Sequence, residues 1–139
     1  MICVTPNLHF SGNCKQAIKL YETAFGAELK VLLCNSDANP QDLQSHNDDN
    51  ALVYHAEILI GNQRILMTDD TGNTVPKGNT VSLVLTFETA HEVKAAYEKI
   101  SKGCEIIHPM QRTSYSSCFV SLIDKFGIRW ELMTEQTEK

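Results

Sequence analysis

His55 and Glu57 stand two residues apart in Tyr54-His55-Ala56-Glu57, and Arg129 and Glu131 repeat that spacing in Arg129-Trp130-Glu131. Side chains at i and i+2 of an extended strand point to the same face, so each pair is delivered to one surface. An imidazole beside a carboxylate can move a proton to or from a substrate bound above it, or join Glu131 as a ligand to a divalent ion. The same spacing also suits a structural hydrogen bond for the first pair and an ion pair for the second, and the residues alone leave both alternatives open. His9, in Thr5-Pro6-Asn7-Leu8-His9-Phe10, has the strand parity of a further polar contributor. Tyr115, in the Thr113 to Ser117 stretch, is either an aromatic that closes over a binding site or a plain loop residue.

Elements able to position these groups recur twice. Val4 to Phe10 alternates in hydrophobicity and predicts a strand. Asn13 then precedes apolar positions Cys14, Ala17, Ile18, Tyr21 and Phe25 at helical spacing, with Gly26 placed for a left-handed cap. Glu28 to Cys34, Ala51 to Ile60 and Gln63 to Asp69 read as strands, the last two joined by a tight Gly61-Asn62 turn. The order begins again with a strand over Thr80 to Phe87 and the capping-box spacing of Thr89 and Glu92. A helical stripe follows on Val93, Ala96, Tyr97 and Ile100, ended by Gly103, and then strands over Cys104 to His108, Ser116 to Ile123 and Ile128 to Thr134. Tyr21-Glu22 matches Tyr97-Glu98 at an offset of 76, while Gly26 and Glu28 match Gly103 and Glu105 at 77, so the repeat is visible in residues as well as in pattern. The expected fold is α+β: a single domain of two strand–helix–three-strand units, about residues 1–72 and 78–137, forming curved mixed sheets with helices on the outer face.

Sorting the strands by parity sends Val4, Leu8 and Phe10; Val81, Leu83, Leu85 and Phe87; and Ile128, Trp130 and Leu132 toward the helices. Thr5, Asn7 and His9; His55 and Glu57; Met67 and Asp69; Ser82 and Thr86; and Arg129, Glu131 and Met133 fall on the opposite faces. Such a mixture is too polar for a second dry core and suits a half-polar cavity for a small organic molecule. His9, His55, Glu57, Tyr115, Arg129 and Glu131 are the candidate ligand-contacting residues. Between Asn35 and Asn50 the chain is polar and reads as a loop. His46, His91 and His108 read as surface residues.

With 12 basic against 17 acidic residues and a net charge of -5, no basic stripe suggests nucleic acid as a partner. No segment approaches the length of an apolar membrane span, and the first residues do not resemble an export signal, so a soluble cytoplasmic protein is expected. The five cysteines have neither zinc-knuckle nor redox CxxC spacing and are expected reduced and packed.

Taken with the repeat, Asn7-Leu8-His9-Phe10-Ser11-Gly12-Asn13, Phe25-Gly26-Ala27-Glu28, Tyr54-His55-Ala56-Glu57 and Asp124-Lys125-Phe126-Gly127-Ile128-Arg129-Trp130-Glu131 resemble the PhnB-like branch of the vicinal oxygen chelate superfamily. That superfamily includes glyoxalase I, extradiol dioxygenases, fosfomycin-inactivating enzymes and bleomycin-binding resistance proteins, so the fold alone assigns no activity. The resemblance implies a homodimer, and metal ligands near Thr5, Met67, Ser82 and Glu131. Only Glu131 of those four is an ordinary ligand to a divalent ion, so an intact metal centre of the family type is not expected. His9 lies on the Thr5 face but about 13 Å farther along the strand, and would displace any ion it bound with Glu131. A methyltransferase of the ubiquinone pathway is not expected, because no glycine-rich nucleotide loop follows a strand. The leading expectation is a binding protein that needs no cofactor and, from the net acidity, favours a cationic ligand. A divalent-metal lyase, isomerase or transferase using His9, His55, Glu57 and Glu131 is the first alternative, and a non-catalytic sensing or assembly domain the second.

Overall fold

The computed structural model describes residues 2–35, 52–70 and 75–135. The chain divides into two compact units, Met1–Pro76 and Lys77–Lys139. The first holds β1 (Asn7–Phe10), α1 (Cys14–Phe25), β2 (Glu28–Cys34), β3 (Val53–Ile60) and β4 (Gln63–Asp69). The second holds β5 (Leu83–Phe87), α2 (Ala90–Ile100), β6 (Glu105–Gln111), β7 (Phe119–Ile123) and β8 (Arg129–Thr134). The strand orders β1-β4-β3-β2 and β5-β8-β7-β6 are the same order in the two units. In each sheet the opening strand runs parallel to the last and the other pairs are antiparallel. This is the expected α+β repeat. The expected polar loop falls almost wholly in 36–51, which with His46 lies outside the described residues, as do 71–74.

Both opening strands are shorter than their alternation suggests. Val4 is 84% exposed and Val81 76% exposed, so neither packs on a helix as parity implied. Hydrophobic alternation makes a strand only where a neighbouring backbone supplies the ladder, and β4 first meets this segment where Leu66 N donates to Pro6 O. β6 instead runs past its expected end, through Pro109. It is an edge strand with register shifts at His108, where a residue without an N–H is tolerated. β7 starts later than expected because Ser116, Ser117 and Cys118 are drawn into side-chain hydrogen bonds.

The two helices begin differently. Thr89 and Glu92 form the anticipated reciprocal capping box on α2. Asn13 makes no side-chain cap on α1; the carboxylate of Asp69 accepts from Gly12 N and Cys14 N instead, at 2.9 and 3.0 Å. An anion at a helix N-terminus satisfies free donors and opposes the helix dipole. Gly26 closes α1 with φ 67°, a left-handed conformation that costs glycine nothing sterically. α1 buries Cys14, Ala17, Ile18, Tyr21 and Ala24, with Phe25 half-buried and stacked on Tyr21, and α2 buries Val93, Ala96 and Ile100. Leu8, Phe10, Ala56, Ile58 and Ile65 complete the first core, and Val120, Leu122, Trp130 and Leu132 the second.

Candidate functional site

The ladders decide which side chains share a face. The Gly61-Asn62 turn pairs Ile60 with Gln63, which sets Ile58 opposite Ile65 and Ala56 opposite Met67. Met67 therefore joins the buried face that α1 covers, and Asp69 follows it. This corrects the assignment of both residues to the polar face. The reason is that Ile65-Leu66-Met67 is apolar throughout, so hydropathy cannot give that strand its parity. Asp69 is a buried structural anchor whose oxygens accept from Gly12 N, Cys14 N and Val53 N.

On the first sheet, the face away from α1 carries Asn7 and His9 from β1, Arg64, Leu66 and Thr68 from β4, and His55, Glu57 and Leu59 from β3. Glu57 is its centre. One carboxylate oxygen accepts from Arg64 Nε at 2.7 Å, and the other lies 2.8 Å from His55 Nε2. A carboxylate only accepts, so Nε2 carries a proton in this contact. The Arg64 hydrogen bond, followed by that of His55, pulls the Glu57 carboxyl down to about 2. Glu57 is thus held as an anion and is a weak proton acceptor. His9 does not reach this pair; its Nδ1 lies 2.8 Å from Asp70 Oδ1, both side chains being nearly half exposed. Thr68 separates the two histidines and donates its hydroxyl to Tyr54 O at 2.9 Å.

On the second sheet, the corresponding face carries Arg129, Glu131 and Met133 from β8, Phe119, Ser121 and Ile123 from β7, and Val84 and Thr86 from β5. Glu131 accepts from Ser82 Oγ at 2.9 Å and has Arg129 at 3.8 Å. Arg129 also donates to Asn79 O at 2.7 Å and to Ser121 Oγ at 3.4 Å. Tyr115 is half exposed and rests edge-on against Phe119, with ring centroids 5.9 Å apart. The structure thus joins His55 to Glu57 and Arg129 to Glu131, and leaves His9 and Tyr115 apart from either pair. Parity alone missed Arg64, whose partnership with Glu57 is a diagonal contact across two strands.

The residues at the implied metal positions do not fit such a centre. The Met67 thioether lies in the core on the helix side, the Ser82 hydroxyl donates to Glu131, and a guanidinium stands beside the same carboxylate. Among the described residues no group of three or more His, Cys, Asp and Glu side chains is placed to hold a metal ion. Nor is any helix among them long and apolar enough to cross a membrane.

A family model described as 3-demethylubiquinone-9 3-methyltransferase matches residues 3–133. The chain belongs to this family, the PhnB-like branch of the vicinal oxygen chelate superfamily. Protein YjdN of Escherichia coli (strain K12) is 27% identical over 134 residues, covering 91% of each chain. Protein PA1353 of Pseudomonas aeruginosa superposes with a TM-score of 0.83 at 22% identity, over 98% of this chain and 99% of that one. A putative 3-demethylubiquinone-9 3-methyltransferase, PhnB protein, of Bacillus cereus superposes with a TM-score of 0.81 at 24% identity, over 96% and 99%. At such identities the structural likeness of a PhnB-like protein establishes the fold, and its function has to be argued from the site.

Proposed function

We propose that this PhnB-like protein binds a small, polar and largely uncharged organic molecule against the half-polar faces of its sheets, as a cytoplasmic homodimer and without a metal centre of the family type. The observation that carries this reading is charge balance. Glu57 is matched by Arg64 and Glu131 by Arg129, while Asp70 is hydrogen-bonded to His9. A cationic ligand, which the net charge of -5 favours, meets no unmatched carboxylate at either arginine pair. What the two faces offer is directional hydrogen bonding, from the second ring nitrogens of His55 and His9 beside Leu59 and Leu66 on the first sheet, and from Arg129 beside Phe119 and Ile123 on the second. Methyl transfer, as the family description names it, is not carried over. The turn after β1 has the single glycine Gly12, and the turn after β5 is Glu88-Thr89, so neither forms a glycine-rich nucleotide cradle.

The test is a thermal-shift screen of neutral, cationic and anionic small molecules, with and without divalent ions, because a ligand of the native state raises Tm with the logarithm of its concentration above Kd. A neutral polar compound should raise Tm in the wild type, and the rise should be reduced in Glu57→Gln or Glu131→Gln. A stoichiometric divalent ion in protein purified without chelator, removed by His9→Ala or Glu131→Gln, would overturn the reading in favour of a metal enzyme.

A further inference from the structure

A cleft of about 530 Å3 lies in the second unit, at the Ile123 end of the polar sheet face. Its walls are the 77–79 segment, the residues that follow α2, and the Asp124–Gly127 turn between β7 and β8. None of the six residues singled out from the sequence lines it.

Two lysines are seated in this cleft on two glycines. A Cβ at Gly127 would come within 3.1 Å of the Lys77 stem, and one at Gly103 within 3.1 Å of Lys125 Cβ. Both glycines have positive φ, 97° and 74°, so their bare Cα atoms are kept by backbone conformation as well as by the lysine stems packed over them. The stems are therefore placed by packing, and both lysines line the cleft. Among the described residues neither ammonium is in an ion pair. Lys125 Nζ sits 5.3 Å from the centroid of the Phe126 ring.

The acidic groups nearby do not cancel these charges. Asp124 lines the cleft, but its oxygens accept from Phe126 N, Ile128 N and the indole of Trp130. Burial raises the Cys104 thiol above its ordinary value and keeps it neutral. Glu105 is the other carboxylate there, so two lysines and one carboxylate free of those turn contacts line the same cleft. We propose that this cleft binds a small multivalent organic anion, a phosphate ester or a polycarboxylate, held by Lys77 and Lys125. Glu105 then accepts from a hydroxyl of the same molecule and disfavours bare inorganic anions. The cleft shares Ile123 with the sheet face, but Lys77 and Lys125 lie outside the strands, so the two readings are tested separately.

The experiment is an amide NMR titration of the full chain with pyrophosphate, citrate and glucose 6-phosphate at constant ionic strength, since screening by salt must not be mistaken for binding. Saturable shifts are expected at Gly103, Lys125 and Gly127, with affinity falling about tenfold in Lys77→Ala and in Lys125→Ala. Glu105→Gln should tighten pyrophosphate, and it keeps the test open should a lysine variant be poorly folded. Preference for glucose 6-phosphate assigns a phosphate ester, and preference for citrate a polycarboxylate. Absent or non-saturating shifts, or shifts unchanged in a Lys77→Ala/Lys125→Ala double variant with a wild-type melt, would overturn the proposal.

Discussion

The polar faces of the two sheets are built on equivalent ladders but balance their charges with carboxylates in different places. Phe10 pairs with Asp69 and Phe87 with Thr134 at matching ends of the two parallel pairs. Counting back from there, Arg64 corresponds to Arg129, while Leu66 corresponds to Glu131 and Glu57 to Ser121. The arginine keeps its position; its carboxylate lies on β3 in one unit and on β8 in the other. A metal centre requires donors at fixed points, whereas charge compensation requires only a carboxylate within reach of the guanidinium. The difference therefore favours a hydrogen-bonding surface over a relic of a ligand set.

The ends of the ladders differ more deeply. Asp69 accepts three backbone N–H groups from the β1–α1 turn, the start of α1 and the start of β3. At the corresponding place the Thr134 hydroxyl meets Ser116 and Ser117 beside β7, with one backbone N–H and two hydroxyl partners. Asp69→Ala strands three backbone donors, two of them buried, and should cost about 3–5 kcal/mol. Thr134→Val leaves neighbours that can re-pair among themselves and should cost about 1–2 kcal/mol. Urea denaturation of both variants checks the ranking, and equal losses would break the comparison.

The two carboxylate–arginine pairs can be sharpened by titration. The Glu57 carboxyl is drawn from 4.5 to about 2 by Arg64 and His55. Its folded value lies below its unfolded one, so the unfolded chain binds the proton first as pH falls. The stabilisation is complete above about pH 4.5 and is lost as pH drops toward 2. Carboxyl carbon NMR should follow this directly, and Arg64→Met should move the midpoint up toward 4.5, removing most of that acid-side stability. A midpoint unmoved in Arg64→Met would show that the arginine does not set the charge of this face.

Cys14 tests how closed the Asp69 anchor is. Burial, then the neighbouring Asp69 and Cys34 charges, push its thiol from 9.0 up to about 12. The native state holds the proton longer than the unfolded chain, so stability should decline as pH rises from about 9 to 12. Below that window the protected thiol should resist alkylation while the exposed Cys3 reacts. Mass spectrometry after limited iodoacetamide treatment reads the order, and early loss of Cys14 would mean that the anchor opens readily.

Much of this architecture was legible because it rests on local chemistry. Gly26, the Thr89–Glu92 box and the Gly61-Asn62 turn each punctuate the chain through their own residues, and the bounds of β2 and β4 follow from them. What was not legible depends on partners. Val4 and Val81 alternate correctly but have no ladder to join, and Met67 sits in an apolar run with no parity of its own. Arg64 looks like any surface arginine until its diagonal neighbour Glu57 is known. Of the site, the pairings His55–Glu57 and Arg129–Glu131 followed from i, i+2 geometry alone, while the anchoring of His9 by Asp70 needed the register of β1 on β4.

The smallest expected effect bears on the same contrast between local and distant partners. Both helices start with a residue type that caps well, Asn13 for α1 and Thr89 for α2, and the sequence sets them apart only by the capping-box spacing of Thr89 and Glu92. In the structure only Thr89 accepts from its own helix, while the donors of α1 are met by Asp69 from β4. Thr89→Ala should therefore cost about 1 kcal/mol, the usual loss of a working cap, and Asn13→Ala only a few tenths. Chemical denaturation of the two variants resolves such a gap. If Asn13→Ala proves as costly as Thr89→Ala, Asn13 caps its helix in solution, and the part assigned to Asp69 at that terminus shrinks to its bonds with Gly12 and Val53.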